Sequence, residues 1–256
     1  MEKRKNRKME IKRKSFQGVS NIIKFNWHLY LIILIILILL FIFSFAIKNE
    51  FNNVFTISFI FGLITILNSL FISYLIYDFS DLYKLNWLPN TNNKKTLNIN
   101  AGFDETSQII IDKFPKTELI ICDFYDPKKH TELSIKRARK AYPNSQSCLK
   151  IQTNYLPFDD NSFDYVLATF SIHEIRNDEE KIQLLKEIQR IIKPNGEIFI
   201  TEHLRDLKNF FFFNVGAYHF HSKKNWLNSF KKSNINLKTE LKNYFLISTF
   251  ILKKDA

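Results

Sequence analysis

Two long stretches without a charged side chain dominate the first third of this 256-residue chain. Trp27 to Ile47 reads WHLYLIILIILILLFIFSFAI, and Val54 to Tyr77 reads VFTISFIFGLITILNSLFISYLIY. At ~1.5 Å rise per residue, a helix over the first run reaches roughly 30 Å, the thickness of a bilayer's hydrocarbon core. Only KNEFNN separates the two runs. Lipid offers backbone polar groups no partner, so the runs are predicted to form two transmembrane helices, 27–47 and 54–77, joined by a tight turn. A cleaved signal peptide calls for a shorter apolar core and a small-residue cleavage site, which this stretch does not offer. Thr65, Asn68 and Ser73 lie on the second helix, where they can bond across helices or to their own backbone.

The formal net charge of +12 is unevenly spread. Residues 1–26 form a basic tail, with nine Lys and Arg up to Lys24 against only Glu2 and Glu10. Beside a membrane segment such a tail is an orientation signal and a contact for anionic lipid. It places both termini, and everything after the hairpin, on the cytoplasmic side. The tail has no interleaved aromatic residues and no recognition motif, so no nucleic-acid partner is expected. Residues 78–92 read as a juxtamembrane linker. Cys122 and Cys148 provide no framework for disulfides or for a metal.

From residue 93 to 256, strand-like and helix-like runs alternate. Strands are predicted at 96–99, 118–122, 148–151, 164–170 and 197–201, and helices at 105–114, 131–141 and 178–192. The last helix places Ile182, Leu185, Ile188 and Ile192 on one face and stops at KPNG. Two strand-like runs, 235–241 and 244–253, can pair as a hairpin. Alternation of this kind predicts an α/β domain with a parallel sheet covered by helices. Ligands bind such sheets outside the carboxyl ends of the strands, so the residues after each strand are the candidates for chemistry.

Those residues carry a resemblance. LPFDDNSFDYVLATFSIHEI, from Leu156 to Ile175, and LLKEIQRIIKPNGEIFITE, from Leu184 to Glu202, resemble class I S-adenosylmethionine-dependent methyltransferases. Within them the chain is most similar to the small-molecule group that includes quinone-biosynthesis enzymes. The resemblance implies a Rossmann-like, doubly wound, mostly parallel seven-stranded sheet, here preceded by the two-helix transmembrane hairpin. It implies S-adenosylmethionine as cofactor.

The family's cofactor loop is an acidic residue followed by G-x-G-x-G. Laid on LNINAGFDE, Asn98 takes the acidic position, and Asn100, Gly102 and Asp104 take the glycine positions. Asn and Asp tolerate left-handed backbone best after glycine, so the loop is rebuilt with its closest substitutes. The resemblance further assigns Asp123 to the ribose hydroxyls, with Asp126 as a possible substitute. It assigns Gln152 and Thr153 to the adenine, and Phe170 to the length of the cofactor. A carboxylate suits two hydroxyl donors because it accepts both at once.

Methyl transfer from a sulfonium needs alignment, and a base only where the acceptor must first lose a proton. His173 and Glu174 follow the fourth strand, and His203 follows the fifth; these are the catalytic candidates, with His173 first. His203, His219 and His221 could together hold a metal, but no cysteine joins them and none is expected. NFFFFNVGAYHF, residues 209–220, is very apolar, and four consecutive Phe cannot all face one core. Together with the hairpin it suggests a membrane-anchored methyltransferase with a lipophilic small-molecule acceptor. A catalytically degenerate methyltransferase fold, serving as a membrane scaffold or sensor, is the alternative.

Overall fold

The computed structural model describes residues 13–46, 52–144 and 147–255. Residues 1–12 of the expected basic tail, and residues 47–51 with most of the expected turn, lie outside the described residues. The expected α/β fold is present. Its sheet has seven strands in the order β3-β2-β1-β4-β5-β7-β6. These are β1 (Lys95–Asn100), β2 (Glu118–Asp123), β3 (Leu149–Lys150), β4 (Phe163–Thr169), β5 (Ile192–His203), β6 (Ile235–Asn243) and β7 (Ile247–Lys254). The first five run parallel, and β7 inserts antiparallel between β5 and β6. The helices are α1 (Gln17–Ala46), α2 (Asn52–Tyr74), α3 (Ser107–Lys113), α4 (Leu133–Ala141), α5 (Asp178–Ile191), α6 (Leu207–Phe213) and α7 (Lys223–Lys232).

The apolar face that the sequence assigns to α5 supplies Leu185 and Ile188 to the main core. They pack with Leu97, Ile99, Val166 and Ile198 from the central strands. Fully burying an aliphatic side chain of this size stabilises by about 1.5–3 kcal/mol, so this layer anchors the sheet. The order of the strands reverses at β1, which lies between β2 and β4. The loops leaving β1 and β4 therefore diverge and open a crevice at their carboxyl ends.

α1 and α2 are long and apolar enough to cross a membrane, and most of their apolar side chains face outward. They pack closely: a Cβ added at Gly62 would come within 2.8 Å of Leu37. Thr65 and Ser73 both bond back to carbonyls of their own helix, at Phe61 and Ser69.

α1 begins at Gln17, within the segment expected as a tail, and kinks at Asn26 (φ −114°, ψ 20°). Its first turns dock on the α/β domain. The Asp78 carboxylate accepts from the amides of Gly18 (2.7 Å) and Val19 (2.9 Å), satisfying helix-end donors that would otherwise lack partners. Gly18 permits this approach, since a Cβ there would lie 2.3 Å from the Cβ of Tyr77. Phe25 enters the main core edge-on to Phe103 (ring centroids 5.5 Å) and Tyr142 (6.2 Å). Arg13, the start of the described chain, pairs with Glu105 at 2.7 Å and lies over the Tyr83 ring.

Candidate functional site

The loop after β1 is held by its own polar side chains. Buried Asn98 directs its amide nitrogen at Asp104 (3.2 Å), Thr106 (3.0 Å) and Ser107 (2.7 Å). Asp104 Oδ1 also accepts from the backbone amides of Thr106 and Ser107, both at 3.0 Å. The carboxylate absent from position 98 is thus supplied six residues on, and it reaches back to Asn98. Asn100 Oδ1 accepts from the Gly102 amide at 2.7 Å. Gly102 has φ +86°, the left-handed region that glycine adopts freely. Asn100 and Asp104 themselves do not need positive φ; their side chains brace the turn.

Asp123 stands at the end of β2 and is 4% exposed. Its Oδ1 accepts from the Tyr125 amide (2.8 Å), and its Oδ2 accepts from Arg139 Nη1 (2.7 Å) and Asn144 Nδ2 (2.8 Å). Arg139 also donates to the Ala101 carbonyl at 3.1 Å. Its guanidinium covers the open side of Gly102, where an added Cβ would meet Nη1 at 1.2 Å. Asp126 instead accepts from the Lys128 amide and closes a local turn.

The remaining expected cofactor contacts are spread around the rim. Gln152 is exposed and forms a backbone bridge with Tyr155. Thr153 is buried, and its hydroxyl donates to Glu180 at 2.6 Å. Phe170 adopts φ +48° just past β4 and stacks on His203 at 5.3 Å. A cavity of about 140 Å³ opens between the rebuilt loop and the segments at the start of α1 and just past α2. Phe25, Tyr77, Phe103, Glu105, Thr169 and Phe170 are among the residues that line it. Burial raises the Glu105 carboxyl, opposed by Arg13 and by the Tyr83 hydroxyl donating to it at 2.7 Å.

The catalytic candidates separate into two environments. His173 Nδ1 lies 2.6 Å from Glu202 Oε2, while Glu202 Oε1 accepts from the Ser171 and His173 amides. Burial alone would lower the His173 pKa, but the carboxylates of Glu202 and Glu174 outweigh it and raise the value to about 10. Glu174 Oε1 is 3.5 Å from His173 Nε2 and 3.7 Å from His219 Nε2.

His203 sits apart. It is sandwiched between Phe170 and Phe220, and burial lowers its pKa to about 4. Asn209 gives its own NH2 to Asp206 and to the Leu246 carbonyl, which leaves its Oδ1 to accept from His203 Nδ1 at 3.1 Å. His203 Nε2 therefore accepts from the Tyr77 hydroxyl at 2.6 Å. This histidine joins the end of β5 to the segment leaving α2. His221 contacts the Ile175 carbonyl and packs against Trp226. Of the three histidines considered for a metal, only His219 lies in the acidic cluster.

Residues 129–200 match a family described as "Methyltransferase domain". An uncharacterized methyltransferase-like protein of Schizosaccharomyces pombe is 34% identical over 110 residues, covering 43% of this chain and 38% of that one. A demethylmenaquinone methyltransferase of Chlorobaculum tepidum is 43% identical over 65 residues, 25% of each chain. A ubiquinone/menaquinone biosynthesis C-methyltransferase of Haemophilus ducreyi is 35% identical over 74 residues, 25% of this chain and 27% of that one. The matches thus span well under half the length of these curated relatives. The solved structure of the pyocyanin biosynthetic protein PhzM superposes with a TM-score of 0.51 at 9% identity, over 72% of this chain and 57% of that one. In fold, the chain is similar to class I S-adenosylmethionine-dependent methyltransferases.

For this methyltransferase fold the donor chemistry fits the cofactor. A carboxylate ends β2, a left-handed glycine follows β1, and Asn100 Nδ2 is buried without a hydrogen-bond partner. The space between Asp123 and Gly102 is held by Arg139, so cofactor entry requires that side chain to turn away; it is 27% exposed, which gives it a path to solvent. Arg139 and Asn144 carry no sequence signal. In RARKA, Arg139 reads as one more cation on a solvated helix face.

Proposed function

We propose that this chain is a membrane-anchored S-adenosylmethionine-dependent methyltransferase acting on a small lipophilic acceptor of the quinone-precursor class. Asp123, Gly102 and Asn100 would hold the cofactor, with Asn98 and Asp104 bracing its loop. Gln152 and Thr153 stand at the adenine end, and Phe170 lies alongside. The bound cofactor supplies an electrophilic methyl group. The chain's part is to orient the acceptor, exclude water and handle any proton the acceptor must lose. His173, Glu174 and Glu202 are the polar groups at the ends of β4 and β5; His173, kept protonated by the two carboxylates, would donate to an acceptor oxygen and stabilise its negative charge, and His203 ties Tyr77 to the same rim.

One observation carries the reading: a single cavity is walled both by the membrane-attached segments (Phe25, Tyr77) and by the end of the cofactor loop (Phe103, Glu105). The apolar segment beside it extends the same surface. Phe212 and Phe213 pack against Ile72 and Ile76 at the end of α2, while Leu207 and Phe211 are 88% and 70% exposed. An acceptor dissolved in the bilayer would meet this edge first. The hairpin anchors the domain with its catalytic face on the cytoplasmic side.

The test is incubation of membranes containing the full chain with methyl-labelled cofactor, followed by solvent extraction. Label in a lipid-soluble product that is absent with Asp123→Ala supports the proposal. Label that stays wholly in the aqueous phase, or is incorporated equally by the variant, overturns it. A second reading, a catalytically degenerate fold serving as a membrane scaffold or sensor, is favoured by the Arg139–Asp123 pair. Cofactor binding without turnover would support it, and labelled methyl transfer into lipid would eliminate it.

A further inference from the structure

Beyond methyl transfer, a second set of groups converges at the end of β4. His173 Nε2 and His219 Nε2 both approach one oxygen of Glu174, at 3.5 and 3.7 Å. Nitrogen and oxygen ligands bind zinc at about 2.0–2.1 Å, so neighbouring ligands of a tetrahedral ion lie roughly 3.3 Å apart. The observed spacing is within a few tenths of an ångström of that edge. The two rings come from different elements, the short turn after β4 and the segment after α6, and meet edge-on with centroids 4.9 Å apart.

The outer contacts of His173 are those of a prepared site. A metal-ligating histidine usually gives its other N–H to a carboxylate, which fixes the tautomer and turns the free nitrogen to the ion. His173 Nδ1 does this with Glu202 at 2.6 Å, and Glu202 is itself locked by two backbone amides. His219 Nδ1 has Glu132 at 3.6 Å, with Arg176 bridging the pair. Arg176 Nη2 donates to His219 Nδ1 and to the same Glu132 oxygen, so ligation through His219 Nε2 requires Arg176 to turn aside and Glu132 to accept the Nδ1–H. Glu174 is 4% exposed, and its second oxygen, Oε2, is buried with no hydrogen-bond partner. An unpartnered carboxylate oxygen in a buried setting is costly, and a cation on this carboxylate would offset its buried charge.

We propose that His173, Glu174 and His219 bind a divalent cation of the zinc class, with Glu202 and Glu132 as positioning residues. Two histidines and a glutamate form a donor set of catalytic zinc, which keeps its fourth position for water or a substrate oxygen. Such an ion would bind and polarise an acceptor hydroxyl or carbonyl at the end of β4. The proposal does not depend on cofactor binding.

The full chain, purified in detergent without a histidine tag, is loaded with Zn2+ alone, dialysed and assayed for metal by mass spectrometry. The expected result is about one ion per chain, with Co2+ substitution giving the intense visible bands of a four-coordinate site. His219→Gln should weaken binding on the order of 100-fold or more, and Glu202→Gln about 10–100-fold. His219→Cys keeps a zinc ligand and should retain uptake. Melting curves of the metal-free proteins separate lost ligation from lost folding. Uptake below about a tenth of an ion per chain, or equal uptake by His219→Gln and Glu174→Gln, would overturn the proposal. Calorimetry with S-adenosylmethionine on the same samples reads the methyltransferase assignment separately.

Discussion

Under the proposed function, Arg139 competes with the cofactor for Asp123, and its removal should tighten binding. Its guanidinium bonds Asp123 at 2.7 Å and the Ala101 carbonyl at 3.1 Å, and it covers Gly102. A cofactor that uses Asp123 must first displace it. Hydrogen bonds to charged groups contribute about 1.5–3 kcal/mol to a folded state. The Arg139 side chain is 27% exposed, so solvent screening favours the low end, about 1.4 kcal/mol or tenfold in an equilibrium constant. Arg139→Met keeps most of the stem and removes the competing charge. Titration calorimetry of the detergent-solubilised full chain should show the S-adenosylmethionine dissociation constant falling about tenfold, because the binding-competent population rises by that factor. Asp123→Asn should weaken binding in either background. Far-UV circular dichroism and melting curves check that both variants fold. Unchanged or weaker affinity in Arg139→Met, or no binding by either protein, would refute the argument.

Three further outcomes follow from the packing. Asp78→Ala removes the acceptor of the Gly18 and Val19 amides and should destabilise the docked start of α1 by about 1–2 kcal/mol, read as a lower melting temperature. Gly18→Ala drives a Cβ to 2.3 Å from Tyr77 and should cost about 1–3 kcal/mol, with faster proteolysis near residue 18 than in the parent. Burial would raise the Glu240 carboxyl, but Lys223, Lys242 and the Ser248 hydroxyl more than offset this and lower its pKa from 4.5 to about 2. A depressed carboxylate pKa contributes stability that is full above the unfolded value and fades as pH falls through the folded one. Melting temperature should therefore drop between about pH 5 and pH 2, and Glu240→Gln should flatten that part of the profile.

Much of this was legible in the chain because it rests on short-range regularities. The alternation from Lys95 onward predicted strands at 118–122 and 164–170, and the structure has them at Glu118–Asp123 and Phe163–Thr169. The amphipathic face of α5 placed Leu185 and Ile188 in the core. The sequence pattern assigns Asn100 and Asp104 to left-handed backbone, but of these loop positions only Gly102 has positive φ. Asn100 and Asp104 act instead through side-chain bonds to Gly102, Thr106 and Ser107.

By itself, the sequence determined the apolarity of two helices, the mostly parallel α/β sheet and the strand ends where polar residues gather. Periodicity, helix rise and charge are properties of neighbouring residues, and they survive without coordinates. The tertiary structure alone decided that Arg139 on α4 reaches Asp123 on β2, that Tyr77 occupies His203, and that His219 meets His173 and Glu174. Each of these pairs elements separated along the chain, and such meetings follow from how packed elements cross, which no local pattern encodes.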